Sequence, residues 1–255
     1  MHALVDALAA HGLSLRGSWA VTPADPLLSL PALPHGRAAS RVWMVGVIGS
    51  AFWPHFKASS FYSDGLSDPL DRWSRAIGEE LAAHFGGVAL YPFDGPPYHP
   101  FQQWADRAEP TQASAMLLRI HPEHGLWHAY RFALALLALQ AEPAVHSAAP
   151  DTPQANTAPE HAAPALSAVS ATWHSLPSGL CASCSGQPCL QACPVQAYTG
   201  EAFVLQACAS HLHSGQGAEC MQRGCLARRA CPVGAQLRYT PEHAAFHMRA
   251  FTDHH

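Results

Sequence analysis

The sequence predicts an α+β chain in two parts, an N-terminal α/β layered domain and a small cysteine-rich C-terminal domain. Three observations carry that expectation. All eight cysteines lie between Cys181 and Cys231. The first half holds a strand-like run, a helix-like run and a second strand-like run in succession, the alternation expected of layered α/β structure. Between the halves, residues 143–172 carry Ala, Pro, Ser and Thr without a usable hydrophobic period, as in Ala148-Ala149-Pro150-Asp151-Thr152-Pro153. The expected organisation is a domain over 1–142, a linker over 143–172 and a cysteine domain over 173–255.

At 255 residues and 49% hydrophobic composition, the chain is long enough to bury a substantial core. A formal net charge of −4 gives no reason to expect nucleic acid or an anionic membrane as partner. The segment from Met1 to Gly12 lacks the basic start and long apolar stretch of a secretory signal, and its Leu4, Leu8 and Ala9 suggest one side of a short packed helix. No apolar run is long enough to span a membrane; Phe132 to Leu139 is the longest candidate. A cytoplasmic, reducing setting is therefore expected, in which cysteines serve as metal ligands more readily than as disulfides.

Along the first half, Val21 to His35 reads as an irregular, proline- and leucine-rich wrap. Arg41 to Gly49 is a short run of β-branched, aromatic and apolar residues, a buried strand. Ala51 to Ser67 reads as a loop or broken helix rich in aromatics. Ser67-Asp68-Pro69 opens a helix, with a side-chain oxygen to cap the first amides and proline in the first turn. Leu70, Trp73, Ile77 and Leu81 follow at helical spacing until Gly86-Gly87 stops it. Val88 to Tyr91 is a second strand, Phe93 to Phe101 a proline-rich loop, and residues 112–120 are ambiguous between helix and strand. Leu126 to Leu137 is predicted as a buried helix because it is apolar nearly all round. His128 and Arg131 are its polar exceptions, expected to be hydrogen-bonded. Pro241 to Phe251 is predicted as a closing helix.

The cysteines read Cys181-x2-Cys184-x4-Cys189-x3-Cys193-Pro194, then Cys208 alone, then Cys220-x4-Cys225-x5-Cys231-Pro232. Ala192-Cys193-Pro194-Val195 and Ala230-Cys231-Pro232-Val233 repeat one box at the end of each run. A 4Fe–4S cube takes one thiolate per iron, and the bacterial ferredoxin arrangement takes three from one run and the fourth from the Cys-Pro of the other. On that logic Cys181, Cys184, Cys189 and Cys231 form one ligand set, and Cys193, Cys208, Cys220 and Cys225 the other. The x4 gap after Cys184 and the lone Cys208 depart from the compact ferredoxin spacing. Two zinc sites are the alternative, with disulfides or free thiols a further one; zinc sites usually bring two paired Cys or His motifs, and only Cys181-x2-Cys184 is such a pair. His211 and His213 are possible replacement ligands. Arg223, Arg228 and Arg229 either offset the charge of the clusters or are simply solvated.

In its order of motifs, residues 175–235 resemble the dicluster 4Fe–4S ferredoxin-like domain of epoxyqueuosine reductase and the reductive dehalogenases. Cys208-Ala209-Ser210-His211-Leu212 stands where the reductase family has its lone cysteine. The N-terminal half is similar to the nitroreductase-like domain of cobalamin-processing proteins at three places: the strand Val42 to Ile48, the helix start Ser67 to Asp71, and Trp127-His128-Ala129-Tyr130. The resemblance implies a cleft for a corrinoid or flavin that receives single electrons from the clusters, and an electron-donor or acceptor protein as partner. No aspartate aligns with the family's proton donor. The expected cleft residues are Phe52, Trp53, Tyr62, Tyr98, His99, Trp127, His128 and Tyr130, with core packing as the competing role for each. The competing function is a ferredoxin-like carrier or redox-sensing partner protein without catalysis.

Overall fold

In this computed structural model, which describes residues 1–22, 30–137 and 179–255, six strands lie in the first half: β1 (Ser14–Ala20), β2 (Arg41–Ile48), β3 (Val88–Leu90), β4 (Gln112–Ala113), β5 (Arg119–Ile120) and β6 (His128–Leu136). Four form one sheet in the order β1-β2-β6-β3 with every neighbouring pair antiparallel, and β4-β5 is a separate hairpin. The helices there are α1 (His2–Ala9), α2 (Trp53–Ala58), α3 (Ser60–Ser63), α4 (Pro69–Phe85) and α5 (Phe101–Ala108). Helices and an antiparallel sheet make the chain α+β. The linker expected over 143–172, and the boundary at 173, lie outside the described residues.

The strand–helix–strand unit is present but split. Both β2 and β3 run antiparallel to β6 and flank it, so α4 connects two strands that are parallel yet not neighbours. One face of the sheet turns Val45, Val47, Phe132, Leu134 and Leu136 toward α1, α2 and α4. The other turns Val42, Met44, Ala133 and Ala135 toward Phe101 and Trp104 of α5. α4 begins as expected at Pro69 and ends at Gly86, whose φ of +68° continues the chain where a side chain would be strained. The expected side-chain cap is absent: Asp68 is left-handed, and the turn is held by Arg72 donating to the Ser67 carbonyl and Asp64 carboxylate.

The helix predicted over 126–137 is a strand. β6 is central and covered on both faces, so nearly every position is apolar, and a doubly buried strand then looks like a buried helix. The period of two is present in residue size: Phe132, Leu134 and Leu136 fill the larger layer, while Ala133 and Ala135 leave room for Trp104 and Leu90. β1 and α5 were not predicted. β1 is weakly patterned because it buries Arg16, fully shielded from solvent.

The second half has the short helices α6 (Pro188–Gln191), α7 (Leu205–His213), α8 (Ala218–Arg223) and α9 (Leu226–Ala230), then the expected closing helix α10 (Pro241–Asp253). It meets the first half along the Gly125–Tyr130 segment. Gly125 (φ +59°) and Gly234 (φ +66°) face each other's strands of backbone so closely that a Cβ on Gly125 would lie 1.9 Å from the Val233 carbonyl oxygen. Trp127 packs edge-on against Tyr239 across the same junction. Among the described residues, no helix is long and apolar enough to cross a membrane.

Candidate functional site: two cysteine cavities and a cavity between the halves

The cysteines are placed by turns and short helices. Cys181 and Cys184 sit in a tight turn closed by the Cys184 amide donating to the Cys181 carbonyl at 3.3 Å. Pro188 starts α6, which carries Cys189. Cys208 lies on α7 and Cys220 on α8. Cys225 and Cys231 bracket α9 at its two ends.

The result is two groups of four. Cys193, Cys208, Cys220 and Cys225 line one cavity of about 210 Å³. Cys181, Cys184, Cys189 and Cys231 line a second, much tighter one of about 20 Å³. Cys193 and Cys231 thus each join the cysteines of the other run, and α9 runs from Cys225 of one set to Cys231 of the other. Pro194 and Pro232 line the same cavities as the cysteines they follow.

All eight thiols are free. Burial holds the Cys208 thiol up at about 11 and raises Cys189, Cys220, Cys225 and Cys231 as well, with the neighbouring sulfurs adding to the effect. Backbone amides work against this, the Leu226 amide at Cys220 and the Val233 amide at Cys231; separately, the Ala197 amide donates to Cys193 Sγ at 3.3 Å. Four crowded thiols with amides aimed at their sulfurs suit a polycationic core that stabilises the thiolate form. Among the described residues no three His, Cys, Asp or Glu side chains are placed to hold one metal ion. That geometry differs from a cube, which spreads its four thiolates over four separate irons. Four cysteine thiolates around one cavity are a donor set used by 4Fe–4S clusters and by structural zinc sites alike.

His211 lines the Cys208 cavity, while His213 is exposed. Arg229 pairs with Glu219 at 2.9 Å and Arg223 is exposed. Arg228 points elsewhere. Its guanidinium lies 4.8 Å from the Trp127 ring and 4.4 Å from the Tyr239 ring, and Nε donates to the Leu126 carbonyl at 3.1 Å.

Arg228, Tyr239 and His247 from the second half face His128, Tyr130 and Arg119 from the first across a third cavity of about 430 Å³. His247 also lines the Cys208 cavity, so it borders both spaces. His247 Nε2 meets His243 Nε2 at 3.0 Å, and His243 Nδ1 meets Ser50 Oγ at 2.9 Å. Burial lowers His243 to about 3 and His247 to about 4, keeping both imidazoles neutral.

Of the five residues expected to bind a cofactor, two line this cavity, His128 and Tyr130. Both are tied from behind. Arg16 donates to His128 Nδ1 at 3.2 Å, and His128 Nε2 donates to the Arg119 carbonyl at 3.2 Å. Tyr130 donates to Glu109 at 2.8 Å, and Glu109 is itself paired with Arg16 at 2.7 Å. Trp127 lies beneath the Arg228–Tyr239 wall and does not line the cavity. His99 rests on Trp104 with ring centres 5.3 Å apart, and Tyr98 is 65% exposed. Phe52 and Trp53 are core residues, and Tyr62 packs against Trp53 and Phe56. For these three, packing is the role the structure shows.

The sequence reading did not find Tyr239, His243 and His247 as a group. His243 and His247 share a spacing of four on one face of α10, and Tyr239 lies just before that helix and packs on both rings. Arg16 and Glu109 had no local signal, because their pairing joins β1 to the end of α5. No protein-family model matches the chain, and no curated protein matches it either.

Proposed function

We propose that this protein holds two 4Fe–4S clusters and passes electrons from them toward a small molecule bound in the cavity between its halves. The observation that carries this reading is the division of eight free cysteines into two groups of four around separate cavities. Clusters bound there supply one-electron transfer at potentials tuned by sulfur hydrogen bonds and burial. The chain's own contribution is positional. α9 runs between Cys225 of one thiol set and Cys231 of the other, the amides of residues 197, 226 and 233 are aimed at sulfurs, and His247 lines both the Cys208 cavity and the third one.

The third cavity falls in the size range of small-molecule sites and combines apolar walls with a few polar groups. Its occupant on this reading is a substrate, a corrinoid or a flavin. The resemblance to nitroreductase-like and dicluster ferredoxin-like domains supports that arrangement, and a cytoplasmic reductase with an electron-donor protein as partner is the class of function it implies. A simple electron carrier is the second reading. It is favoured by exposed Val204 and Leu205 beside Phe203 of the Cys208 cavity, a place for a partner protein to dock.

Anaerobic reconstitution followed by iron analysis and absorption spectroscopy tests the proposal. About eight irons per chain are expected from two such clusters. Additional corrinoid or flavin bands on titration support the reductase form. Clusters with no small-molecule binding leave the carrier. Zinc in place of iron, at about two per chain, overturns the proposal.

A further inference from the structure

Twelve residues line the third cavity, and none is an aspartate or glutamate. Two are arginines. Arg119 is paired with Asp106, yet its Nε is buried without a hydrogen-bond partner. Arg228 has no carboxylate partner among the described residues. Its Nε and Nη2 donate to the Leu126 carbonyl, which leaves the Nη1 end unengaged. It lines neither cysteine cavity, so its charge is directed to this space.

Two more donors stand beside it. The Tyr239 ring packs on the Arg228 guanidinium at 4.4 Å, and its hydroxyl has no partner among the described residues. The His247 ring lies 5.9 Å from the Tyr239 ring; with Ser50 Oγ donating to His243 Nδ1 and His243 Nε2 donating to His247 Nε2, the neutral His247 carries its proton on Nδ1, which has no partner among the described residues. A half-buried cation held by flanking rings loses hydration without gaining a counter-charge, and an anion restores that loss. Apart from Gln102 and His128, the rest of the wall, including Leu118, Leu126 and Phe101 with the Tyr130 ring, is apolar or aromatic.

We propose that this cavity binds a planar carboxylate, with the carboxylate on Arg228, Tyr239 and His247 and the flat apolar part against Tyr130 and Leu126. A single unpaired guanidinium flanked by neutral donors matches a monoanion. The inference deepens the reading above by naming the class of ligand that receives the electrons, but it rests on the cavity alone and not on the clusters.

Benzoate is the probe, titrated into the full chain by calorimetry, with the cation benzamidine and the neutral benzamide as comparisons. Benzoate is expected to bind, on the order of tenfold or more tighter than benzamide, because a charge-assisted pair is lost with the amide. Benzamidine is expected not to bind. Arg228→Gln should weaken benzoate by about tenfold or more, and Tyr239→Phe, which keeps the ring packing, by roughly threefold to tenfold. Arg223→Gln, an exposed change outside the cavity, should leave binding unchanged. If Arg228→Gln misfolds, Tyr239→Phe decides. Equal binding of benzoate and benzamidine, no benzoate binding, or full affinity in Tyr239→Phe overturns the inference. Iron measured on the same samples separates the two proposals: normal iron without benzoate binding sinks only this one, and benzoate binding without iron sinks only the cluster reading.

Discussion

Arg228 donates from Nε to the Leu126 carbonyl oxygen at 3.1 Å, and this bond joins the helix between Cys225 and Cys231 to the segment that enters the central strand. The guanidinium also lies over Trp127 and Tyr239. A residue between two cysteines thereby becomes the clasp between the halves. Replacing it with leucine removes a charge-assisted hydrogen bond and two cation–π contacts, a loss of about 2–3 kcal/mol. Urea denaturation should show that loss as a lower midpoint.

The same junction has no room at Gly125. Its φ of +59° and the 1.9 Å approach of a built Cβ to the Val233 carbonyl oxygen require glycine. Gly125→Ala is expected to destabilise the fold by about 2 kcal/mol or more, combining strain with displaced backbone. Because Val233 follows Cys231-Pro232, the variant should also release iron faster to a chelator. Unchanged stability and chelation kinetics would argue against the tight junction.

His128 links pH to stability. Its folded pKa is lowered to about 3, chiefly by burial and then by the Arg16 charge, against an ordinary value of 6.5. Below pH 6.5 the unfolded imidazole takes up a proton that the folded one refuses, so stability falls as pH drops from about 6.5 toward 3. The slope from this one group approaches about 1.4 kcal/mol per pH unit at most. His243 and His247 act with the same sign. The stability of His128→Gln should fall less steeply over that range, a difference measured by urea denaturation of both proteins at several pH values.

Much of this architecture could be read in advance where the signal was local. The helix from Pro69 to Phe85 has a proline start, helical spacing and a glycine stop; β2 has a compact apolar run bounded by Gly-Ser. β6 failed because two covered faces erase the polar–apolar alternation, leaving only the large–small alternation of Phe132 through Leu136. Ala135→Leu tests that layer: overpacking against the α5 side should cost about 1–3 kcal/mol. At the site, the cysteine grouping could be drawn from order and ligand logic. The Arg228–Tyr239–His247 wall could not, since it forms only when α9 and α10 pack against the Leu126–Tyr130 segment.

The most direct measurement of the central claim is the electron paramagnetic resonance spectrum and iron content of reconstituted, reduced Cys231→Ala beside Cys189→Ala and Cys220→Ala. Cys231 lies in the second run but lines the cavity of Cys181, Cys184 and Cys189. The account predicts that Cys231→Ala and Cys189→Ala keep the same single cluster signal, with roughly half the iron of the parent, and that Cys220→Ala keeps the other. If Cys231→Ala instead matches Cys220→Ala, or if no variant changes the iron content, the division of the cysteines into two crossed cluster sites is contradicted.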